Sequence, residues 1–501
     1  MRRDKKESAK KHEKKNKDNK LKSFTRVWSI LYVVLLAAFV GVLIYMNLLP
    51  IKLLTIVVAV LLVISLLIFP ALYFKSFKKS RRITALVMSV ILMVVYGAGI
   101  VYMQGTIDFI SAISKGHLQT EKYHVIVKSD SQYQEIDQIK GLTVQTYLTN
   151  EINYSNAKSK LKDKENVEYE MIEELSALAD GVIDGSYEIV FISDSHYKTI
   201  CEEHDGFAEA SKIIYTVEVP IETKDVSKNV DVTKEPFNIY ISGLDVEGEI
   251  DVVSRSDVNM IVTVNPRTHK ILLTSIPRDY FINLPSKENA EDKLTHTGLY
   301  GIEETIGSVE QLLGIDINYF VKVNYTTVTQ FVDAIGGIDV DSDYSFTTHG
   351  QQVYFNFVEG QNHLDGEHAL AFARERKSFP DGDNQRIKNQ QEIVKSTIKK
   401  MTGSTSLLTK YTNILSAMEN YVQINMNQRE MKSLIKMQLN DMPKWNIKSA
   451  DLTGGSELRT CYSTGSYLVY VMTPDPASVV ECVDKIVEVM GTKDKPTEQV
   501  N

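Results

Sequence analysis

The stretch that decides the fold reads NIYISGLD at 238–245, SRSD at 254–257 and SIPRD at 275–279, and it is answered about a hundred residues on by FARERKSFPDGDNQRIKNQQ at 372–391. In both halves, arginines and aspartates stand where short apolar runs stop. Short β-branched runs punctuated by Gly and Asp read as strands, and in open α/β sheets ligands collect at strand ends. The expected fold is α/β, a mixed sheet flanked by helices, with its polar residues gathered at one end.

Around this stretch, 237–244 reads as a strand, and 259–264 with 270–276 as a hairpin turning through Asn265-Pro266-Arg267-Thr268. A further strand is expected at 319–323. Apolar spacing predicts helices over 294–313, 327–335, 364–373, 384–401, 409–421 and 427–439, the first two stopped by Gly314 and by Gly336-Gly337. Residues 237–401 are the expected catalytic core. Residues 402–491 form a C-terminal helical and strand part, and 492–501 a frayed tail.

Upstream, 123–221 shows a second α/β pattern. Strand runs at 124–129, 142–148, 167–172 and 187–193 alternate with helix-like 156–164 and 173–183. It has no nucleophile, metal cluster or phosphate loop, and the dipeptide His204-Asp205 reads as a surface loop. This is an accessory domain, joined to the core by a polar linker, 222–236.

The N-terminal hundred residues are of another kind. Stretches 27–49, 53–74 and 83–103 are uncharged inside except at their edges and close to the roughly 20 residues that a helix needs to cross a bilayer. Residues 1–104 hold 18 Lys and Arg against 4 Asp and Glu, leaving 38 basic and 60 acidic residues, a net of −22, for 105–501. Twelve of the basic residues lie in the tail 1–26, and five in KSFKKSRR at 75–82. The positive-inside rule then puts the N-terminus and the second loop in the cytoplasm and everything after a connector, 104–122, outside. The tail is too polar to fold alone, is expected to lie disordered against anionic lipid, and has no helix-turn-helix pattern, so no nucleic-acid partner is expected. Cys201, Cys461 and Cys482 form no CxxC pair. A Cys461–Cys482 disulfide is one possible pairing outside the membrane.

Planar guanidinium groups suit phosphate oxygens, and paired carboxylates suit a hard divalent cation. Asp245 and Asp257 follow or open neighbouring strands and are candidates to share one ion. Arg278 ends a strand. Arg374 and Arg376 sit where a helix ends, and Asp383, Arg386 and Gln390 are spaced to share one helix face. Each residue taken singly also suits a turn or a salt bridge. A phosphate-handling site outside a membrane points to a lipid-linked phosphate.

In these residues the sequence resembles the LytR–CpsA–Psr family over about 165 residues: GLD, SRSD and SIPRD in the first half, ARxR and DxxRxxxQ in the second. Three spans followed by an accessory domain are similar to its CpsA-type branch, linked to capsular polysaccharide. The resemblance implies a membrane-bound, extracellular phosphotransferase of Gram-positive bacteria. It would move a glycopolymer from a polyprenyl-pyrophosphate lipid to peptidoglycan, with pyrophosphatase side activity. It also implies Mg²⁺, or Mn²⁺ in its place, on Asp245 and Asp257, and a pyrophosphate held by Arg255, Arg278, Arg374, Arg376, Arg386 and Gln390. Arg278, Asp383 and Arg386 are the expected catalytic residues; Asp383 and Asp279, close in sequence to the arginines, are the candidate bases, Asp383 preferred, and each equally suits orienting an arginine. A sensor of lipid-linked glycan and a hydrolase that recycles the lipid carrier are the competing readings.

Overall fold

The computed structural model describes residues 2–74, 76–114, 119–149, 152–221, 225–248, 250, 253–349, 353–403, 421–465 and 467–491. The chain divides into two compact units, residues 1–112 with 428–443, and residues 113–427 with 444–501.

The first unit holds helices α1 (Arg2–Met46), α2 (Ile51–Tyr73) and α3 (Lys79–Ser114), together with the helix Gln428–Asp441. The first three contain segments long and apolar enough to cross a membrane, at 18–46, 51–73 and 79–104. Polar groups tie them together: Tyr32 Oη lies 2.8 Å from Ser65 Oγ, and Trp28 Nε1 donates to Ser89 Oγ at 2.9 Å. Two expectations are corrected here. The basic tail runs in helix continuous with α1, because its Lys, Glu and Ala residues are good helix formers and the apolar helix supplies the costly nucleus. The connector is likewise helical as far as Ser114.

In the second unit, the accessory domain is a five-stranded sheet with β1 (Gln119–Lys128), β2 (Thr143–Tyr147), β3 (Glu168–Ile172), β4 (Ile189–Ser193) and β5 (Ser211–Ile221) in the order β3-β2-β4-β1-β5. Helices α4 (Ile152–Glu165), α5 (Leu175–Asp184) and α6 (Asp194–Glu203) connect or follow its strands. The four expected strands form. Helix α6 escaped the sequence reading because its polar run DSHYKTICEE has little apolar rhythm; Ser193 caps it by accepting from the backbone of His196.

The catalytic-core sheet contains β6 (Phe237–Leu244), β7 (Ser256–Asn265), β8 (Lys270–Ile276), β9 (Tyr319–Val323) and β10 (Asn446–Asp451). With the short strand Gln423–Ile424 the order is (423–424)-β9-β6-β7-β8-β10. β6, β7 and β8 run antiparallel as a meander, whereas β9 joins β6 and β10 joins β8 in parallel. Residues beyond 401 therefore complete this sheet. The expected helix 294–313 breaks at Gly298–Gly301 and resumes as α7 (Ile302–Leu313). Gly301 has φ of 102°, a conformation that side chains disfavour, and a Cβ on Gly298 would sit 2.5 Å from the carbonyl oxygen of Ser254.

Helices α8 (Tyr325–Ile335), α9 (Gly366–Arg374) and α10 (Asp383–Gly403) follow, the first two capped by Asn324 and Asp365. The hairpin β11 (Gly454–Thr460) and β12 (Leu468–Pro474) leads to α11 (Pro476–Met490). The expected helix 409–421 falls almost wholly outside the described residues. The linker, from 225 onward, lies along the core, where Lys228 pairs with Glu310 and Asp316. The main apolar core, with Tyr240, Ile261, Leu272, Val309 and Ile486, sets α7 and α11 against the sheet. Cys461 and Cys482 sit in separate buried clusters and, like Cys201, are free thiols, so the possible disulfide does not form.

Candidate active site

At the end of β6 and the start of β7, Gly243 permits an unusually close approach: a Cβ there would meet Val258 Cβ at 2.6 Å. The ladder shifts register between Gly243 and Leu244, a bulge of the sort that re-aims side chains beside functional sites. Asp245 and Asp257 consequently face one cavity of about 280 Å³. The same cavity is lined by Arg278, Arg374, Arg376, Arg386, Gln390 and Tyr325, with apolar walls from Ile241, Leu244, Val323, Val328, Leu370 and Ile393. Seven of the eight residues expected to hold phosphate or metal, all but Arg255, thus meet in a single site. The apolar residues of α7 are not part of it; they belong to the core.

The four arginines differ in what holds them. Arg278 Nη1 donates to Asp257 Oδ2 at 2.7 Å, and its Nε lies 3.5 Å from Asp279 Oδ2. Burial alone would lower its pKa, but the carboxylates of Asp257, Asp279 and Asp383 hold it above its ordinary value. Arg386 is buried and its Nη2 lies 2.7 Å from Asp383 Oδ1. Arg374 and Arg376, by contrast, have no ion-pair partner among the described residues. Arg374 lies over the ring of Tyr325, 4.2 Å from its centroid. The loop that carries Arg376 is fixed by the buried Glu375, whose Oε1 accepts from the backbone of Arg376 and Ser378, both at 3.0 Å. Gln390 Nε2 donates to the Ala373 carbonyl at 3.3 Å, tying α10 to the end of α9.

Two expected residues lie elsewhere. Arg255 does not line the cavity; its guanidinium donates to Glu202 and, at 3.0 Å, to Thr199, both on α6. Asp383 is off the cavity wall too, and its visible task is to orient Arg386. Two residues were missed. Tyr325, at the first turn of α8, donates its hydroxyl to Asp245 while its ring supports Arg374. Burial, then Asp245, raises its pKa, so it stays a protonated donor at neutral pH. Thr295 donates to Asp257 Oδ1 at 3.0 Å. Only an aromatic directly after the helix cap Asn324 hinted at the first, and nothing at the second.

The donor set can be tested against a divalent cation. Among the described residues no group of three His, Cys, Asp or Glu side chains could cage a metal. Mg²⁺ usually keeps waters and binds through one or two carboxylates plus substrate phosphates, which is what Asp245 and Asp257 facing an arginine-lined cavity can offer. The residues present fit an ion that is held jointly with a phosphorylated substrate.

An α/β protein with three helices long and apolar enough to cross a membrane, and a cavity lined by four arginines, two aspartates and apolar side chains, is the class that this geometry defines. The LytR_cpsA_psr family profile matches residues 197–479, and the chain belongs to that family. Curated relatives include two proteins named polyisoprenyl-teichoic acid–peptidoglycan teichoic acid transferase TagU. That of Bacillus mycoides (strain KBAB4) is 34% identical over 238 residues, 46% of this chain and 76% of the relative. That of Bacillus anthracis is 36% identical over 237 residues, again 46% and 76%. Among solved structures, B. subtilis TagV is 27% identical, with 52% of this chain and 99% of that one covered and a TM-score of 0.44.

Proposed function

We propose that the protein transfers a lipid-linked glycopolymer from a polyprenyl-pyrophosphate carrier to peptidoglycan, outside the cell. The observation that carries this reading is the meeting of four arginines, from three separate segments, with two aspartates in a cavity whose remaining walls are apolar. A pyrophosphate with a hydrocarbon tail needs both kinds of surface. The relatives named as teichoic acid transferases support the reaction class. Capsular polysaccharide is the polymer proposed here.

In the proposed reaction, a hydroxyl of the peptidoglycan glycan attacks the phosphorus nearer the polymer. A new P–O bond forms, the bridging P–O bond breaks, and polyprenyl phosphate leaves with the electron pair and takes up the proton that the hydroxyl releases. Charge grows on the leaving phosphate, so groups that meet it tightly in the transition state accelerate the step. Arg374 and Arg376, without an ion-pair partner among the described residues, receive the incoming anion. Arg278 and Arg386, already oriented by aspartates, are fixed dipoles and charges that need little reorganisation. Mg²⁺ on Asp245 and Asp257 would supply further charge neutralisation on phosphate oxygens. The apolar wall of Val323, Val328, Leu370 and Ile393 takes the first isoprene units and keeps water from the reacting centre.

The lysine and arginine bias around the spans sets the proposed orientation, with the N-terminus cytoplasmic and both α/β domains outside. The test uses the full chain in lipid nanodiscs with a polyprenyl-pyrophosphate-linked glycan and peptidoglycan fragments, with Mg²⁺ or with chelator. Polymer joined through phosphate to peptidoglycan supports transfer. Free glycan phosphate alone means a hydrolase, and binding without turnover means a sensor.

A further inference from the structure

The accessory domain touches the catalytic site at one residue of the SRSD motif. Arg255 stands two positions before Asp257, yet its side chain turns away from the cavity to α6, where Nη1 pairs with Glu202 and Nη2 donates to Thr199 Oγ1 at 3.0 Å. The guanidinium side is largely buried, with 13% of the side chain exposed, whereas Glu202 is 58% exposed. A buried guanidinium cannot be left without its partners at little cost, so this contact holds the loop and not merely the surface. Its opposite flank is pressed on Gly298, where only hydrogen fits beside the Ser254 carbonyl. Ser256 Oγ, between the two, lies 2.8 Å from Ser242 Oγ on β6. The loop is thus gripped on three sides, and the residue it delivers is Asp257, partner of Arg278 and Thr295.

A second contact runs to the same pair from the other side. Tyr467 packs against the accessory-domain cluster of Leu178, Ile200 and Phe207. The turn before it carries Ser463, which donates through its backbone to the buried Asp292 at 2.9 Å. Next to Asp292 is Lys293, whose Nζ lies 3.5 Å from Asp279, itself beside Arg278.

We propose that Arg255 is a positioning residue, and that through it α6 of the accessory domain sets the placement of Asp257. The accessory domain is then a structural part of the active site. The kinetic arm of the test rests on the transfer reading; the exchange arm does not.

Full-length Glu202→Gln, Arg255→Ala, their double variant and the reversed pair Glu202→Arg with Arg255→Glu are compared in nanodiscs. Two quantities are read: amide hydrogen exchange over 254–260, and kcat and KM with a polyprenyl-pyrophosphate-linked glycan. Glu202→Gln and Arg255→Ala should each speed exchange in that segment and lower kcat by about tenfold, with KM changed by less than about twofold. The double variant should be no worse than Arg255→Ala, and the reversed pair should recover part of the loss. Faster exchange in Glu202→Gln, with no transfer even by the wild type, would reject the transfer reading and leave the positioning role standing. Unchanged exchange and kcat in Glu202→Gln, beside a large rise in KM for Arg255→Ala, would overturn the proposal and return Arg255 to the phosphate clamp. Glu202 is exposed and its change isosteric, so this variant decides the matter even if Arg255→Ala does not fold.

Discussion

The guanidinium of Arg374 lies 4.2 Å from the ring centroid of Tyr325, on whose other end the hydroxyl donates to Asp245. One side chain therefore serves two residues of the cavity wall at once, the arginine proposed to meet phosphate and the carboxylate proposed to hold Mg²⁺, and two substitutions separate these roles. Tyr325→Phe keeps the ring and removes the donor, so apparent Mg²⁺ affinity should fall by about tenfold, the usual cost of losing an outer partner of a metal ligand. Tyr325→Leu should in addition weaken phosphate binding, by about 0.5–2 kcal/mol for the lost cation–π contact. Calorimetric titration with Mg²⁺, and separately with a short polyprenyl pyrophosphate, reads the two effects.

The arginines should fall into two groups by kinetics. Arg374→Lys and Arg376→Lys lose bidentate contact with the incoming anion, so KM should rise. Arg278→Lys and Arg386→Lys disturb groups already oriented by aspartates, so kcat should fall. Each lost charge-assisted contact should cost about 1.5–3 kcal/mol, or roughly ten- to a hundredfold. Steady-state kinetics of the four variants checks the split.

The two aspartates should also behave unequally. Asp257 is the ion-pair partner of Arg278, whereas Asp245 meets a neutral hydroxyl. Both Asn variants should lose Mg²⁺-dependent turnover. Only Asp257→Asn should lower thermal stability as well, by about 1–3 kcal/mol, since it strips a partly buried guanidinium of its main counter-charge. Thermal melts without substrate isolate this second effect.

The acid end of the stability curve should rest in part on Asp292. This carboxylate is fully buried, and although burial favours its neutral form, His296, Ser463 and the backbone of Lys293 hold its pKa below the ordinary 3.8. A lowered folded-state pKa gives stability that is complete above about pH 4 and is lost as pH falls through the folded value. Asp292→Ala should destabilise the neutral protein by about 3–5 kcal/mol and flatten the acid limb of its stability curve, measured by denaturant melts from about pH 2 to 7.

The sequence showed the site better than its electrostatics. Motif spacing named every charged group on the cavity wall, because strand ends and a helix face constrain direction. It did not show which carboxylate would face which arginine. The structure adds Asp257 and Asp279 around Arg278, pairings that exist only once β7 and β8 lie side by side. Arg255 was misplaced for a similar reason: its partner α6 lies in another domain, and its polar sequence gave no periodic signal. The break at Gly298–Gly301 was hidden because helical spacing continues across it, while the need for a bare Cα beside Ser254 is a tertiary fact.

Both edges of the core sheet are filled late in the chain. Gln423–Ile424 covers β9, and Asn446–Asp451 covers β8. Until those residues have been made, the meander and β9 present open backbone on both flanks, which are templates for pairing with any passing strand. A chain halted after residue 403 would already own all four cavity arginines and both aspartates, yet be a sticky, half-closed sheet. Synthesis, and not chemistry, is then the stage at which this fold is most open to mispairing, until the last core strand at 446–451 is in place.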